Sequence, residues 1–210
     1  MFGDGALTFR EYVMKEPLPL AIVHRAVLDF LHHRDDAALF GAQAVNAYVD
    51  EARMTQDVDI LSPRAAELAK EIRKFLNERF KIASRVRKVR QGMGYRIYQI
   101  QKSGNRHLVD VRPVAGFPPT QRVDDVLVVS PAELIANKVA AFHGRRGSPK
   151  SGTDRRDLAV LLLRFPELKS EHGPVRDRLD VAAAGADLLA TWKEIVAQPI
   201  LPQDEDAEFD

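Results

Sequence analysis

The sequence predicts an α+β protein: a mixed, mostly antiparallel sheet flanked by helices, with a C-terminal helical part. Three observations carry this. Apolar residues recur at helical spacing near both ends of the chain. Short β-rich runs crowd its middle third. The order runs helix, strand, helix, strand, helix, meander and terminal helices, which suits an α+β layering better than regular βαβ winding. At 210 residues and 45% hydrophobic, the chain can bury one substantial core and a small helical annex. We therefore expect an α/β core over 1–129, a helical part over 130–200, and an acidic tail over 201–210.

Taking the elements in order, Leu20 to His33 places Ile22, Val23, Val27, Leu28, Phe30 and Leu31 at helical spacing behind Pro19. Ala37 to Phe40 is a short apolar strand ending at Gly41, and the good helix formers from Ala42 to Glu51 make a strand-glycine-helix unit. Gln56 to Leu61 alternates polar with apolar at period two. It stops at Ser62-Pro63, an expected N-cap and first helical residue for the run to Phe80. Ile82 to Val89, Tyr95 to Gln101 and His107 to Val111 read as a meander whose turns are Gly92-Met93-Gly94 and Ser103-Gly104-Asn105. Val126 to Val129 is a last strand. Ser130-Pro131-Ala132-Glu133 has capping-box spacing ahead of a helix through Ala141. A basic loop from Gly144 to Gly152, a helix from Asp154 to Phe165 and another from Val181 to Val196 complete the expectation.

Composition narrows the chemistry. There is no cysteine, so disulfides and thiolate-bound zinc are excluded and any metal must sit on oxygen or imidazole. The N-terminal residues lack the apolar stretch of a secretory signal, and no run approaches membrane-spanning length, so a cytoplasmic protein without a membrane partner is expected. Net charge is only +1, but Lys70 to Arg106 is strongly basic, while Asp204, Glu205, Asp206, Glu208 and Asp210 form a tail with too little apolar surface to fold alone, expected to be disordered.

Asp57 and Asp59 stand one residue apart on an expected strand, so their carboxylates share a face while Val58 and Ile60 point to the core. Their repulsion is relieved by a hard divalent cation, Mg²⁺ or Mn²⁺, that keeps sites open for phosphates. A solvated strand edge gives the same pattern. Gly41, at a strand-to-helix turn, exposes backbone N–H groups to which a phosphate could bind, or simply permits the turn. Asp110, between valines on a strand of the same sheet, supplies a third carboxylate, as a two-ion site for in-line phosphoryl chemistry requires. Arg85, Arg87, Lys88, Arg90 and Arg96, interleaved with Tyr95 and Tyr98, suit RNA, tRNA included, or the solvated face of an antiparallel meander. No histidine has convincing metal-ligand spacing, and none is assigned a role.

Phe40-Gly41-Ala42-Gln43-Ala44, followed by Arg53-Met54-Thr55-Gln56-Asp57-Val58-Asp59-Ile60, resembles the nucleotidyltransferase superfamily signature. Lys138 to Arg145 is similar to the Lys-Leu-x-Ala-x-x-x-Arg element of the AbiEii-type toxin nucleotidyltransferases, and Asp154-Arg155-Arg156-Asp157-Leu158 to their Asp-x-x-Asp element. The resemblance implies the nucleotidyltransferase fold, transfer of a nucleotidyl unit from an NTP, and a toxin with a cognate antitoxin. It implies nucleotide contacts at Gly41, Ala42 and Thr55, triphosphate contacts from Lys138 and Arg145, and a role for Asp154 or Asp157 in orienting the lysine or in catalysis. Ala42 stands where the superfamily usually has serine or glycine, which removes a hydroxyl contact to phosphate and leaves backbone contacts. Thr153 stands where AbiEii-type proteins normally have lysine or arginine. Two other functions fit these residues: a non-catalytic module that binds RNA or a protein, and a small-molecule, antibiotic-modifying nucleotidyltransferase.

Overall fold

The computed structural model describes residues 18–89, 92–102 and 104–202. Arg90 and the acidic residues from Asp204 onward lie outside them, as does the N-terminal segment read for a signal. Two compact units divide at Ser130/Pro131.

The first unit holds helices α1 (Leu20–Leu31), α2 (Gly41–Tyr48) and α3 (Ala65–Phe80), and strands β1 (Ala38–Phe40), β2 (Val58–Ser62), β3 (Ser84–Lys88), β4 (Tyr95–Gln101), β5 (Gly104–Pro113), β6 (Thr120–Val123) and β7 (Val126–Val129). The strands form one sheet in the order β3-β4-β5-β2-β1-β7-β6. The β1–β7 and β2–β5 pairs are parallel, and the other four pairs are antiparallel. The mixed, mostly antiparallel sheet is thus observed.

Alternation on β2 is strict: Val58, Ile60 and Ser62 are buried while Asp59 and Leu61 are half-buried. The buried side of the sheet, with Ile97, Val109 and Val111, packs with α1 and α3, whose Val23, Val27, Leu31, Leu68, Ile72 and Leu76 are inaccessible to solvent. Each such aliphatic side chain contributes about 1.5–3 kcal/mol. The opposite side therefore owes its polar residues to no core requirement.

Several boundaries differ from the sequence reading. Ser62 ends β2 rather than capping α3: its hydroxyl accepts the Arg64 N–H at 3.0 Å, and the helix starts at Ala65. The serine thus satisfies a turn ahead of the helix instead of its first turn. Helix α2 stops at Tyr48 because Val49 is extended. Gly104 and Asn105 belong to β5. Strand β6 was not expected; it pairs with β7 through Asp124 and Asp125, both at positive φ, the conformation a tight hairpin turn requires and aspartate tolerates.

The second unit contains α4 (Pro131–Gly144), α5 (Pro149–Arg164), a 3₁₀ turn (Pro166–Leu168), α6 (Pro174–Val181) and α7 (Ala186–Ala197). Lys150, Ser151 and Gly152, expected in a loop, lie in α5, which Pro149 opens as its first residue. Val181 ends α6 instead of beginning the last helix, because Ala183 at positive φ and Gly185 separate α6 from α7.

Candidate metal centre

Strands β2 and β5 run side by side in parallel with Asp59 opposite Asp110, and β1 sets Phe40 opposite Asp59 on the other flank. Asp57 precedes the first residue of β2 rather than lying within the strand. Its loop is anchored from α2. The Asn46 side chain donates to the Arg53 carbonyl at 2.8 Å and accepts the Arg53 N–H at 3.1 Å. Gln43 donates to the Thr55 hydroxyl at 2.9 Å, and that hydroxyl donates to the Asp57 carbonyl at 3.2 Å. Thr55, expected to contact nucleotide, is here a link that positions Asp57.

Gly41 opens α2 with φ of 71°. A β-carbon there would stand 2.2 Å from Asp59 Oδ2 and 2.8 Å from its Cγ. Glycine is required twice, for the backbone conformation and for the carboxylate seated against its α-carbon. Gly41→Ala is expected to destabilise the chain by about 1–2 kcal/mol through left-handed strain alone, and to push the Asp59 carboxylate out of place. A denaturant melt reads the first effect and a metal titration the second. Ala42 follows in the helix, half-buried, and no side chain caps the helix at Phe40.

Cations surround the three carboxylates. His107 Nδ1 lies 3.1 Å from Asp57 Oδ2, and His107 Nε2 lies 3.2 Å from Asp110 Oδ1. Arg96 Nε donates to the same Asp110 oxygen at 2.9 Å, and Arg112 Nη2 stands 3.7 Å from Asp59 Oδ1. With an acceptor at each ring nitrogen, both can donate only when the imidazole is protonated. Burial by itself lowers the His107 pKa, but hydrogen bonds to Asp110 and Asp57 and their charges outweigh it and raise the pKa to about 10. The imidazolium bridges two carboxylates.

The sequence reading gave His107 no role for want of metal-ligand spacing, and strict alternation would set residues 107 and 110 on opposite faces of a strand. A bulge overturns that. In the β4–β5 ladder Ile97 faces Val109 but Tyr98 faces His107, so Leu108 is the extra residue and His107 is returned to the side carrying Asp110. Leu108 and Val109 are both fully buried in consequence. The signal available was His-Leu-Val-Asp, with two consecutive apolar residues where alternation needs one.

Donor atoms of Asp57, His107 and Asp110 all lie within 4.8 Å of one another. Oxygen and imidazole donors at this spacing fit a divalent ion, and Asp59 is not among them. On the sheet's edge strand, Arg87 and Lys88 are exposed and Arg85 half-buried, and the Arg87 guanidinium lies 5.9 Å from the Tyr98 ring centroid. Tyr98 in turn packs on His107 at 5.1 Å between centroids.

The other expected residues form a separate network in the second unit. Lys138 Nζ on α4 lies 2.6 Å from Asp157 Oδ2 and 3.7 Å from Asp154 Oδ1 on α5. Arg145 donates to Asp154 Oδ2 at 2.9 Å. Lys138, Asp154 and Asp157 are buried and Arg145 is exposed.

In the comparison with solved structures, the chain superposes on the Megavirus polyadenylate synthase with a TM-score of 0.58 at 15% identity, covering 75% of this chain and 34% of that one. It superposes on JHP933 from Helicobacter pylori with a TM-score of 0.52 at 14% identity, covering 91% and 90%. The chain spans about a third of the viral synthase, at 34%. At these identities the likeness is one of fold, and the fold is that of the nucleotidyltransferases. No curated protein matches this chain. The family described as Nucleotidyl transferase AbiEii toxin, Type IV TA system, matches residues 25–207, and the chain belongs to it.

Proposed function

We propose that this chain transfers a nucleotidyl unit from an NTP to a hydroxyl or phosphate acceptor, with Mg²⁺ or Mn²⁺ held by Asp57, Asp59 and Asp110. The observation that carries the reading is the seating of Asp59, opposite Asp110 across β2–β5 and against Gly41 at the start of α2. The Asp59 carboxylate against the glycine that opens α2 supports a site where phosphates and their cations meet. When bound, the metal supplies Lewis-acid stabilisation of the phosphoryl oxygens and of the departing pyrophosphate. The residues' part is positional: Asn46, Gln43 and Thr55 fix Asp57, and Gly41 leaves room for Asp59. A bond from the acceptor oxygen to the α-phosphorus forms as the bond to pyrophosphate breaks.

By the family motif, Lys138 and Arg145 contact the triphosphate, and Asp154 and Asp157 orient the lysine; the short Lys138–Asp157 pair supports a fixed ammonium. The basic edge of β3 with Tyr98 supports RNA, tRNA included, as acceptor, by phosphate attraction and base stacking. The family's description as a toxin of a type IV TA system supports a cognate antitoxin as partner. Among the described residues no helix is long and apolar enough to cross a membrane, and we place the protein in the cytoplasm.

The test is calorimetric titration of each NTP with Mg²⁺ into the wild type and into Asp57→Asn/Asp59→Asn, with folding of both checked by circular dichroism. Metal-dependent binding lost in the variant supports the transferase. A folded wild type that binds no nucleotide overturns it in favour of a non-catalytic module.

A further inference from the structure

We infer that His107 is itself a ligand of the ion this centre takes, giving it a mixed nitrogen and oxygen donor set. The inference rests on the reading that Asp57 and Asp110 hold a divalent cation. Ligand atoms around an ion with bonds of 2.0–2.2 Å stand about 3 Å apart when adjacent. His107 Nδ1 and Asp57 Oδ2, 3.1 Å apart, have that spacing, and so do Nε2 and Asp110 Oδ1 at 3.2 Å. An ion that takes the proton's place, seated to one side of the N···O line, finds two donors at the spacing of adjacent ligands. The second ring nitrogen then still donates to the other carboxylate, the arrangement that fixes tautomer and ring orientation at imidazole-bound metals.

The ring is also held where it is. The Leu108 bulge aims it at the carboxylates, and Tyr98 packs against it at 5.1 Å between centroids, so moving it aside exposes an aromatic face and undoes a cross-strand pair. An ion seated between Asp57 and Asp110 meets the imidazole rather than water. Nitrogen ligation has a chemical consequence. Imidazole suits first-row transition ions, whereas Mg²⁺ favours oxygen, so the centre discriminates toward Mn²⁺, Co²⁺ or Zn²⁺ over Mg²⁺ more strongly than three carboxylates alone would.

The test is Mn²⁺ titration of the full chain followed by electron paramagnetic resonance, with pulsed detection of nitrogen coupled to the bound ion. The wild type is expected to show directly coordinated ¹⁴N. His107→Gln is expected to lose that coupling and to weaken Mn²⁺ binding at least about tenfold while Mg²⁺ binding changes less. Mn²⁺ that binds the wild type and is lost in Asp57→Asn/Asp59→Asn, yet shows no nitrogen coupling, overturns the ligand role and leaves the carboxylate site standing. His107→Gln that binds Mn²⁺ as tightly or more tightly does the same and makes the ring a displaceable plug. A wild type that takes up no Mn²⁺ overturns both. The wild-type spectrum is decisive whether or not the variant folds.

Discussion

Asp57→Asn is expected to abolish nucleotidyl transfer, by at least about a thousandfold, while leaving the protein folded. A metal ion at a phosphoryl centre contributes several kcal/mol of transition-state stabilisation, and each 1.36 kcal/mol is a factor of ten in rate. Asparagine preserves the volume and one oxygen acceptor but removes the charge that makes the oxygen a ligand for a hard cation. The fold's stake in that charge is the pairing with His107, which asparagine keeps as a hydrogen bond. Asp57 precedes β2, its side chain is 29% exposed, and its loop is also anchored by the backbone bonds to Asn46 and Thr55. Removing one of several neighbouring negative charges also relieves repulsion, which offsets the weakened contact to His107. Transfer of label from an α-³²P-labelled NTP reads the activity, and a thermal melt reads the fold. Retained transfer in a folded Asp57→Asn protein sinks the assignment of this centre.

The strand positions of Asp59 and Asp110 were legible because they obey a two-residue period, whereas Asp57 lies before β2. Asp59 follows directly from alternation with Val58 and Ile60, and Asp110 from its place between valines on the neighbouring strand. Gly41 was legible as a turn residue, but its second reason, the Asp59 carboxylate against its α-carbon, depends on a tertiary contact that no local pattern encodes. His107 was hidden for a sharper reason: a bulge at Leu108 changes the phase of the strand between the histidine and the aspartate. Strand β6 was hidden because Thr120–Val123 offers a single strongly apolar residue, Val123, and pairs at the sheet edge, where burial leaves a weak pattern. In the helical unit, Gly152 and Ser151 suggested a loop that Pro149 at the first helical position and the buried Asp154, Asp157, Leu158 and Leu161 convert into helix α5. Local preference lost to packing there, as it does when one side of a segment is buried.

That buried side carries the second large effect. Asp157→Ala is expected to destabilise the protein by about 3–5 kcal/mol, the usual cost of leaving one member of a buried ion pair unmatched. Asp157 is fully buried and its Oδ2 lies 2.6 Å from Lys138 Nζ, which is 8% exposed. Without it the ammonium keeps Asp154 at 3.7 Å, but Arg145 already shares that carboxylate at 2.9 Å, so compensation is partial. The melting temperature should fall by roughly 10 °C, read by the fluorescence of Trp192, which is buried in the same unit with its indole N–H donating to the Ser170 carbonyl at 3.1 Å. Lys138→Met alone should also be harmful, since it leaves Asp157 with Arg156 at 4.0 Å and Asp154 with Arg145. The double replacement Lys138→Met/Asp157→Leu removes both charges while keeping the branching of the Asp157 side chain, and should recover part of the loss, because a buried pair exchanged for apolar groups is often neutral or stabilising while the larger leucine costs some packing strain. The double variant also separates two reasons for keeping the pair. If stability returns while metal-dependent NTP binding stays lost, the lysine is retained for nucleotide and not for the fold. If neither single variant costs more than about 1 kcal/mol, the value of an exposed pair, the network is not the buried anchor that its geometry describes.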